Sequence, residues 1–221
     1  MKNLLIVFFV ALALFLVGCI SEQIGGPGGP TPEASSIADV VQQIKQDPNA
    51  TFTATIEGVV TYEYKKYIFV QDNTGGMKVY YSGTDPYISD VVDIGDKVRV
   101  SGTAQYWEDR VNRDYEIVPA TLTDLEIIEE DYEEPEPRTL ESTPSEDYYG
   151  LLVTFSGTCT DDDDGYDNAT FISDGGFEVT VKNYVGYSFN VGTYYTIKGV
   201  VMYNYDKYKV VPRTEGDIII E

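Results

Sequence analysis

The chain has 221 residues, no histidine and a formal net charge of −22. Without imidazole the usual base at neutral pH and the commonest metal ligand are missing, and two cysteines are too few for a thiolate metal cage. Such acidity also tells against a nucleic-acid-binding surface, whose affinity comes mainly from neutralising phosphates with Lys and Arg. The charge is uneven: residues 126–147 hold ten acids against one arginine, residues 48–125 twelve against seven bases, and residues 148–221 eleven against five. The stretch between two mildly acidic regions therefore carries the largest share.

Residues 1–18 contain one basic residue, Lys2, then an apolar run from Leu4 to Val17 that is too short to span a bilayer and reads as a secretory signal. The run ends in Leu16-Val17-Gly18-Cys19, which resembles the lipobox of prokaryotic lipoproteins. That resemblance implies removal of residues 1–18, acylation of Cys19 and attachment to the outer, extracytoplasmic face of the cell membrane by lipid alone. Residues 19–33, with Gly25-Gly26-Pro27-Gly28-Gly29-Pro30, then form a flexible tether.

The first globular region is expected over 34–128. Ile37, Val40, Val41 and Ile44 make one apolar stripe behind Ser36 as N-cap, which predicts a short helix plugging a barrel end. Phe52 to Tyr64 reads as a long strand bent by a bulge at Gly58. Tyr67-Ile-Phe-Val-Gln71 and Met77-Lys-Val-Tyr-Tyr81 flank Asp72-Asn-Thr-Gly-Gly76, the pattern of a β-hairpin. Alternation in Lys97-Val-Arg-Val-Ser101 after Gly95-Asp96 gives a fourth strand, and Tyr115 to Val118, ended by Pro119, a fifth; Tyr106 and Trp107 are placed in the loop between them.

One bent strand, a hairpin, a connection and two more strands is the order of a five-stranded Greek-key barrel, the OB-fold. The residues F-V-Q-D-N-T-G-G-M-K-V-Y and I-G-D-K-V-R-V-S-G resemble the OB domains of secreted and surface-anchored prokaryotic proteins. They are more distantly similar to the anticodon-binding barrels of class II tRNA synthetases. The same segments recur: Phe69 to Asp72 matches Phe171 to Asp174, Gly75-Gly76 matches Gly175-Gly176, Ile94 to Gly102 matches Val191 to Gly199, and Tyr115 to Pro119 matches Tyr208 to Pro212. The expected fold class is all-β: two tandem OB-fold barrels, each preceded by a short helix. An acidic, proline-containing linker at 129–142, extended and exposed, joins the first to a second barrel over 143–221.

Side chains alternate across a hairpin, so Tyr67, Phe69, Lys78 and Tyr80 are expected to face outward from barrel 1. With Trp107 as a wall they would form an aromatic platform for flat ligands, and the synthetase resemblance implies stacking residues at the places of Tyr67 and Tyr80. Aromatic pairs also stabilise hairpins without binding anything, so a purely structural role is the alternative. Matching the repeats puts Ala169, Glu178 and Thr180 at the places of Tyr67, Lys78 and Tyr80, so barrel 2 reads as a spacer. Asn49-Ala-Thr and Asn168-Ala-Thr are glycosylation sequons, both expected in loops. Cys159, left without a partner, reads as a buried inert thiol. The Asp161–Asp164 loop invites a calcium reading but fails the EF-hand spacing, so it is taken as a solvated acidic turn and no metal or cofactor is assigned. No catalytic residues are assigned either. The sequence therefore points to a monomeric, lipid-anchored binding protein for a surface glycan or envelope protein partner. Single-stranded nucleic acid binding and a non-binding envelope role are the alternatives.

Overall fold

The structure, a computed structural model, describes residues 33–162 and 165–221. The expectations for the signal peptide, for Cys19 and for most of the tether fall outside those residues, as does the middle of the Asp161–Asp164 loop.

Helix α1 (Ile37–Gln46) starts at Ser36, whose Oγ accepts the Asp39 N–H at 3.2 Å. Two more first-turn donors are met from the hairpin turn: the Asp72 carboxylate accepts Ile37 N–H at 2.9 Å and the Thr74 hydroxyl accepts Ala38 N–H at 3.1 Å. The helix is thereby fixed against the turn, and Ile37, Val40 and Ile44 bury into the barrel core.

Strands β1 (Phe52–Tyr64), β2 (Tyr67–Gln71), β3 (Gly76–Tyr80), β4 (Lys97–Glu108) and β5 (Arg113–Val118) form the first barrel. β1 pairs with β2, β2 with β3, β3 in parallel with β5, β5 with β4, and β4 back with β1, so the ring closes. β6 (Leu125–Glu129) lies along β4. β4 runs through Tyr106 and Trp107, so these residues stand in a strand and not in the expected loop. The bulge also differs: the register of β1 shifts between Val60 and Tyr62, not at Gly58. Gly58 serves close approach instead, since a Cβ there would lie 2.6 Å from the Gln71 carbonyl oxygen.

The second barrel repeats this plan. β7 (Arg138–Thr139) runs parallel to the segment from Val153 to Thr154, and where a second helix is expected there is one 3₁₀ turn at Glu146–Tyr148. β8 (Leu152–Asp161), β9 (Asn168–Ser173), β10 (Glu178–Lys182), β11 (Tyr194–Asn204) and β12 (Lys207–Val211) close through the β11–β8 pairing, with β13 (Ile218–Ile220) along β11. The chain is an all-β protein of two tandem OB-fold barrels. Gly58 and Gly157 face the carbonyls of Gln71 and Ile172; Gly102 and Gly199 face Val118 and Val211, each followed by proline. The same backbone crossings recur in both copies.

The register of the repeat differs from the sequence matching, by one residue in the second strand of the barrel and by two in the third. The bulge pairs Val60 with Val70 and Tyr62 with Phe69; in the second copy it pairs Cys159 with Phe171 and Asp161 with Thr170. Phe171 is therefore the counterpart of Val70 and packs inside its barrel, while Thr170 is the counterpart of Phe69. A one-residue slip exchanges the two faces of a strand. The source of the slip is a hairpin turn one residue longer: Val70 pairs with Met77, but Phe171 with Val179. The true counterparts of Tyr67, Lys78 and Tyr80 are Asn168, Thr180 and Lys182.

The segment 129–142 is held to barrel 2 as well as linking it. Arg213 reaches Glu134 at 2.5 Å and Asp217 at 2.8 Å, Lys198 reaches both carboxylates at 3.4 Å, and Leu140 is buried in the second core. Arg213 and Asp217 are themselves buried side chains. Burial opposes both charges, yet their mutual hydrogen bonds leave the Asp217 carboxyl below its usual value and Arg213 above its own. Cys159 is buried in the second core, and burial raises its thiol.

Candidate functional site

Phe69, Lys78, Tyr67 and Tyr80 do point away from the core of barrel 1, as alternation requires, and Tyr67 pairs with Tyr80 and Phe69 with Lys78 across the hairpin. Phe69 is nevertheless only 1% exposed. It lies in a third apolar cluster with Tyr62 of its own barrel and Tyr149, Leu152, Val200, Met202 and Val211 of the second. Its ring meets Tyr149 edge-on at 5.7 Å. Gln71 on the same face accepts the Leu152 N–H at 2.7 Å, and Gly76 lies so close to Gly150 that a Cβ there would stand 2.1 Å from the Gly150 carbonyl oxygen. The outward face of the hairpin is thus largely the seat of barrel 2, and Phe69 is unavailable to a ligand. Burying an aromatic ring of this size is worth about 2–3 kcal/mol, which a solvent-exposed platform would forgo.

The rest of the face is an aromatic cage already holding a cation. Lys78 Nζ lies 5.0 Å from the Tyr67 ring and 5.7 Å from those of Tyr80 and Trp107. It also forms an ion pair with Asp114 at 2.6 Å and stands 3.9 Å from Glu116. Asp114 accepts the Tyr149 hydroxyl at 2.8 Å, and Glu116 accepts from Gln105 at 2.9 Å. Burial raises the Glu116 carboxyl above its usual value, with Gln105 and Lys78 pulling the other way, and burial likewise raises the Tyr67 phenol. One flank of Tyr67 is covered by Tyr62, stacked at 6.0 Å and 14°.

Where the barrels meet, Tyr67, Lys78 and Asp114 border a cavity of about 330 Å³ whose other wall is Tyr184, Met202 and Tyr205. The wall is set by the β11–β12 turn, in which Tyr205 and Asp206 both take left-handed backbone conformations, φ +49° and +63°. That is the geometry of a tight hairpin turn, but a bulky residue there is strained by about 1–2 kcal/mol. Tyr205 is held by donating its N–H to the Val111 carbonyl in the β4–β5 loop at 2.7 Å. Tyr205 is 65% exposed and Tyr184 50% exposed.

Lys182, Asn204 and Tyr205 also line a second cavity of about 560 Å³, on the outward face of barrel 2, together with Thr170, Thr180, Lys207 and Lys209. The two spaces share those three residues as a common wall. A larger cavity of about 820 Å³ lies under the inter-barrel connection, among Glu57, Lys97, Tyr132 and the Asp72–Gly75 turn. Two of its ionic side chains are engaged locally: Glu57 with Arg99, and Lys97 over the Tyr132 ring at 4.9 Å. Among the described residues no group of His, Cys, Asp or Glu is placed to hold a metal ion.

Of the residues singled out in the sequence, the structure brings Tyr67, Phe69, Lys78, Tyr80 and Trp107 together, but around Lys78 and barrel 2 and not around open solvent. Asn49 stands exposed in the turn before β1. Asn168 does not lie in a loop: it opens β9, is buried, and accepts from Lys209 at 3.1 Å. Sequence reasoning missed Tyr184, Tyr205 and the three lysines. Lys207-Tyr-Lys209 alternates within a predicted strand, and that outward pair was the available signal.

No protein-family model and no curated protein sequence matches the chain. Among solved structures it is similar to the hypothetical protein ygiW from E. coli, with TM-score 0.32 and 15% identity over 47% of this chain and 99% of that one. It is also similar to the tetrameric HIN2 of p202, with TM-score 0.35 and 12% identity over 78% of this chain and 94% of that one.

Proposed function

We propose that the chain is a lipid-anchored, extracytoplasmic binding protein, not an enzyme, and that it holds a saccharide of the cell surface in the groove between its barrels. The observation that carries this reading is the pair of exposed tyrosines, Tyr184 and Tyr205, that line the same inter-barrel cavity as Tyr67. Flat faces beside a slot suit a sugar ring, and the hydrogen bond from the Tyr205 N–H to the Val111 carbonyl fixes the backbone that carries one of them. The carboxylates nearest the cavity support a non-catalytic role: Asp114 is bound by Lys78 and Tyr149, and Glu116 by Gln105.

The test is a screen of immobilised neutral and acidic oligosaccharides with the full chain in detergent. Retention of at least one saccharide is expected, with loss of that retention in Tyr184→Ala/Tyr205→Ala at an unchanged melting temperature. Retention of none, or undiminished binding by the double variant, overturns the reading. The lysines of the second cavity favour single-stranded nucleic acid as a second reading. An oligo-dT probe whose affinity fell steeply with salt would select it.

A further inference from the structure

The chain carries two Asn-x-Thr sequons, and the fold places them in opposite settings. The first follows α1. Asp47 precedes Pro48, whose ring disfavours helical backbone in the residue before it, so the helix stops at Gln46 with Asp47 as its C-cap. The chain then makes a β-turn with Pro48 and Asn49 at its centre. Ala50 N–H donates to the Asp47 carbonyl at 3.0 Å, and Asn49 N–H to the Asp47 carboxylate at 3.2 Å. Both bonds use backbone donors and Asp47, so the Asn49 side-chain amide takes no part in holding the turn. Residues 45–51, and with them the whole sequon Asn49-Ala50-Thr51, are exposed.

Asn168-Ala169-Thr170 lies inside the second closed ring. These residues pair with Lys182, Val181 and Thr180 of β10, and Thr170 also pairs with Asp161 of β8. Ala169 is fully buried, and Asn168 is 7% exposed with its Oδ1 accepting from Lys209. An oligosaccharyltransferase must bring the side-chain amide nitrogen to the anomeric carbon of its donor, so the acceptor segment has to enter the enzyme. Asn49 can do so as it stands. Asn168 can do so only after β9 has come away from its neighbours, and core strands open at a cost close to that of global unfolding. Going beyond the binding reading and taking from it only the extracytoplasmic location, we infer that Asn49 is the N-glycan acceptor of the folded chain and that Asn168 stays unmodified.

The new bond joins Asn49 Nδ2 to the anomeric carbon of an oligosaccharide carried on a polyprenyl pyrophosphate. The C–O bond to the pyrophosphate breaks as the C–N bond forms, and its electron pair leaves with the pyrophosphate oxygen. The proton lost by the amide goes to a base of the transferase, and nothing is oxidised or reduced. Thr51 supplies the hydroxyl that completes the sequon. The turn precedes Phe52 at the start of β1, whereas Tyr62, near the other end of that strand, stacks on Tyr67 of the groove. Modification and saccharide binding thus belong to different ends of one strand and are separable.

The experiment takes the full chain, made in a host without N-glycosylation and purified in detergent. It is offered to an oligosaccharyltransferase specific for Asn-x-Ser/Thr together with its lipid-linked oligosaccharide, beside an unrelated sequon peptide that shows the enzyme to be active. Intact mass and peptide mapping read both sites, in the folded chain and in isolated peptides carrying each sequon. Occupancy at Asn49 of the folded chain is expected to exceed that at Asn168 by about tenfold or more, while the two peptides differ little. Asn49→Gln and Thr51→Ala should each abolish the glycan at an unchanged melting temperature. Equal occupancy of the two sites in the folded chain, or modification of the Asn49 peptide but not of folded Asn49, overturns the inference. So does a preference that persists in the peptides, which would place the selectivity in local sequence, or an Asn49 peptide left unmodified by the active enzyme. None of these outcomes bears on the saccharide reading, which stands or falls by its own screen.

Discussion

The two barrels share their interiors and differ on one face. Inside, Val70 and Phe171, Val100 and Ile197, and Ile117 and Val210 occupy corresponding places, and the glycines at the strand crossings recur. Outside, the strands of barrel 1 present Tyr67, Phe69, Lys78, Tyr80, Asp114 and Glu116, while those of barrel 2 present Asn168, Thr170, Thr180, Lys182, Lys207 and Lys209. A closed core must keep its apolar pattern and its total volume, so the two copies remain recognisable even where Val70 in one stands opposite Phe171 in the other. The outward face has no such constraint. In barrel 1 it has become an apolar and ion-paired seat for the neighbouring barrel, and in barrel 2 it lines an open polar cavity.

The sharpest way to break this contrast is at Phe69 and its counterpart. Phe69→Ala should cost about 3–5 kcal/mol, since it empties the cluster that joins the barrels. Thr170→Ala, on the open face, should cost less than about 1 kcal/mol. Urea midpoints compare the two directly, and equal losses would mean that the inter-barrel cluster is not a stabilising contact. The shared interior makes the opposite demand. Gly58→Ala and Gly157→Ala would place a Cβ 2.6 Å and 2.4 Å from a carbonyl oxygen, and both should destabilise by about 1–3 kcal/mol. If only one of them does so, the copies do not bend their first strands for the same reason.

The smallest effect is a pH dependence whose sign differs between Glu116 of barrel 1 and Asp217 of barrel 2. The Glu116 carboxyl is raised by burial, so the folded state holds its proton more tightly than the unfolded chain does. Its contribution to stability is fully present below the ordinary carboxylate value and is lost as pH rises through the raised folded value. Asp217 of barrel 2 has the opposite sign: its lowered carboxyl contributes above the ordinary value, and that contribution is lost as pH falls through the folded value. Melting temperatures across the acid range should therefore lose the Glu116 component in Glu116→Gln. An unchanged profile in that variant would show that the buried carboxyl titrates as an ordinary one.

Much of the architecture was legible because it depends on local chemistry. β1 spans Phe52–Tyr64, the hairpin turns through Asp72–Gly75, and Ser36 caps α1, each where alternation, turn residues and capping chemistry place it. The repeat was legible too, at Gly102 and Gly199 and at the two Val-Pro strand ends. Its register was not, because Phe171 matches Phe69 in letters while a turn longer by one residue puts it in the place of Val70. The candidate site was legible only in part. Tyr67, Lys78 and Tyr80 were found, but the residues that complete the groove, Tyr184, Tyr205 and Lys182, lie more than a hundred residues away.

Sequence by itself determined which way each hairpin side chain points, because alternation along a strand is a property of the backbone. What those side chains point at was decided only by the docking of one barrel on the other. Phe69 is outward in its own barrel and buried in the whole molecule, since Tyr149, Leu152 and Val211 come from a separate closed ring. No periodicity within the first barrel encodes that contact. Burial there depends on the tertiary arrangement of two rings, each of which closes on its own hydrogen bonds and meets the other only through the side chains left outside.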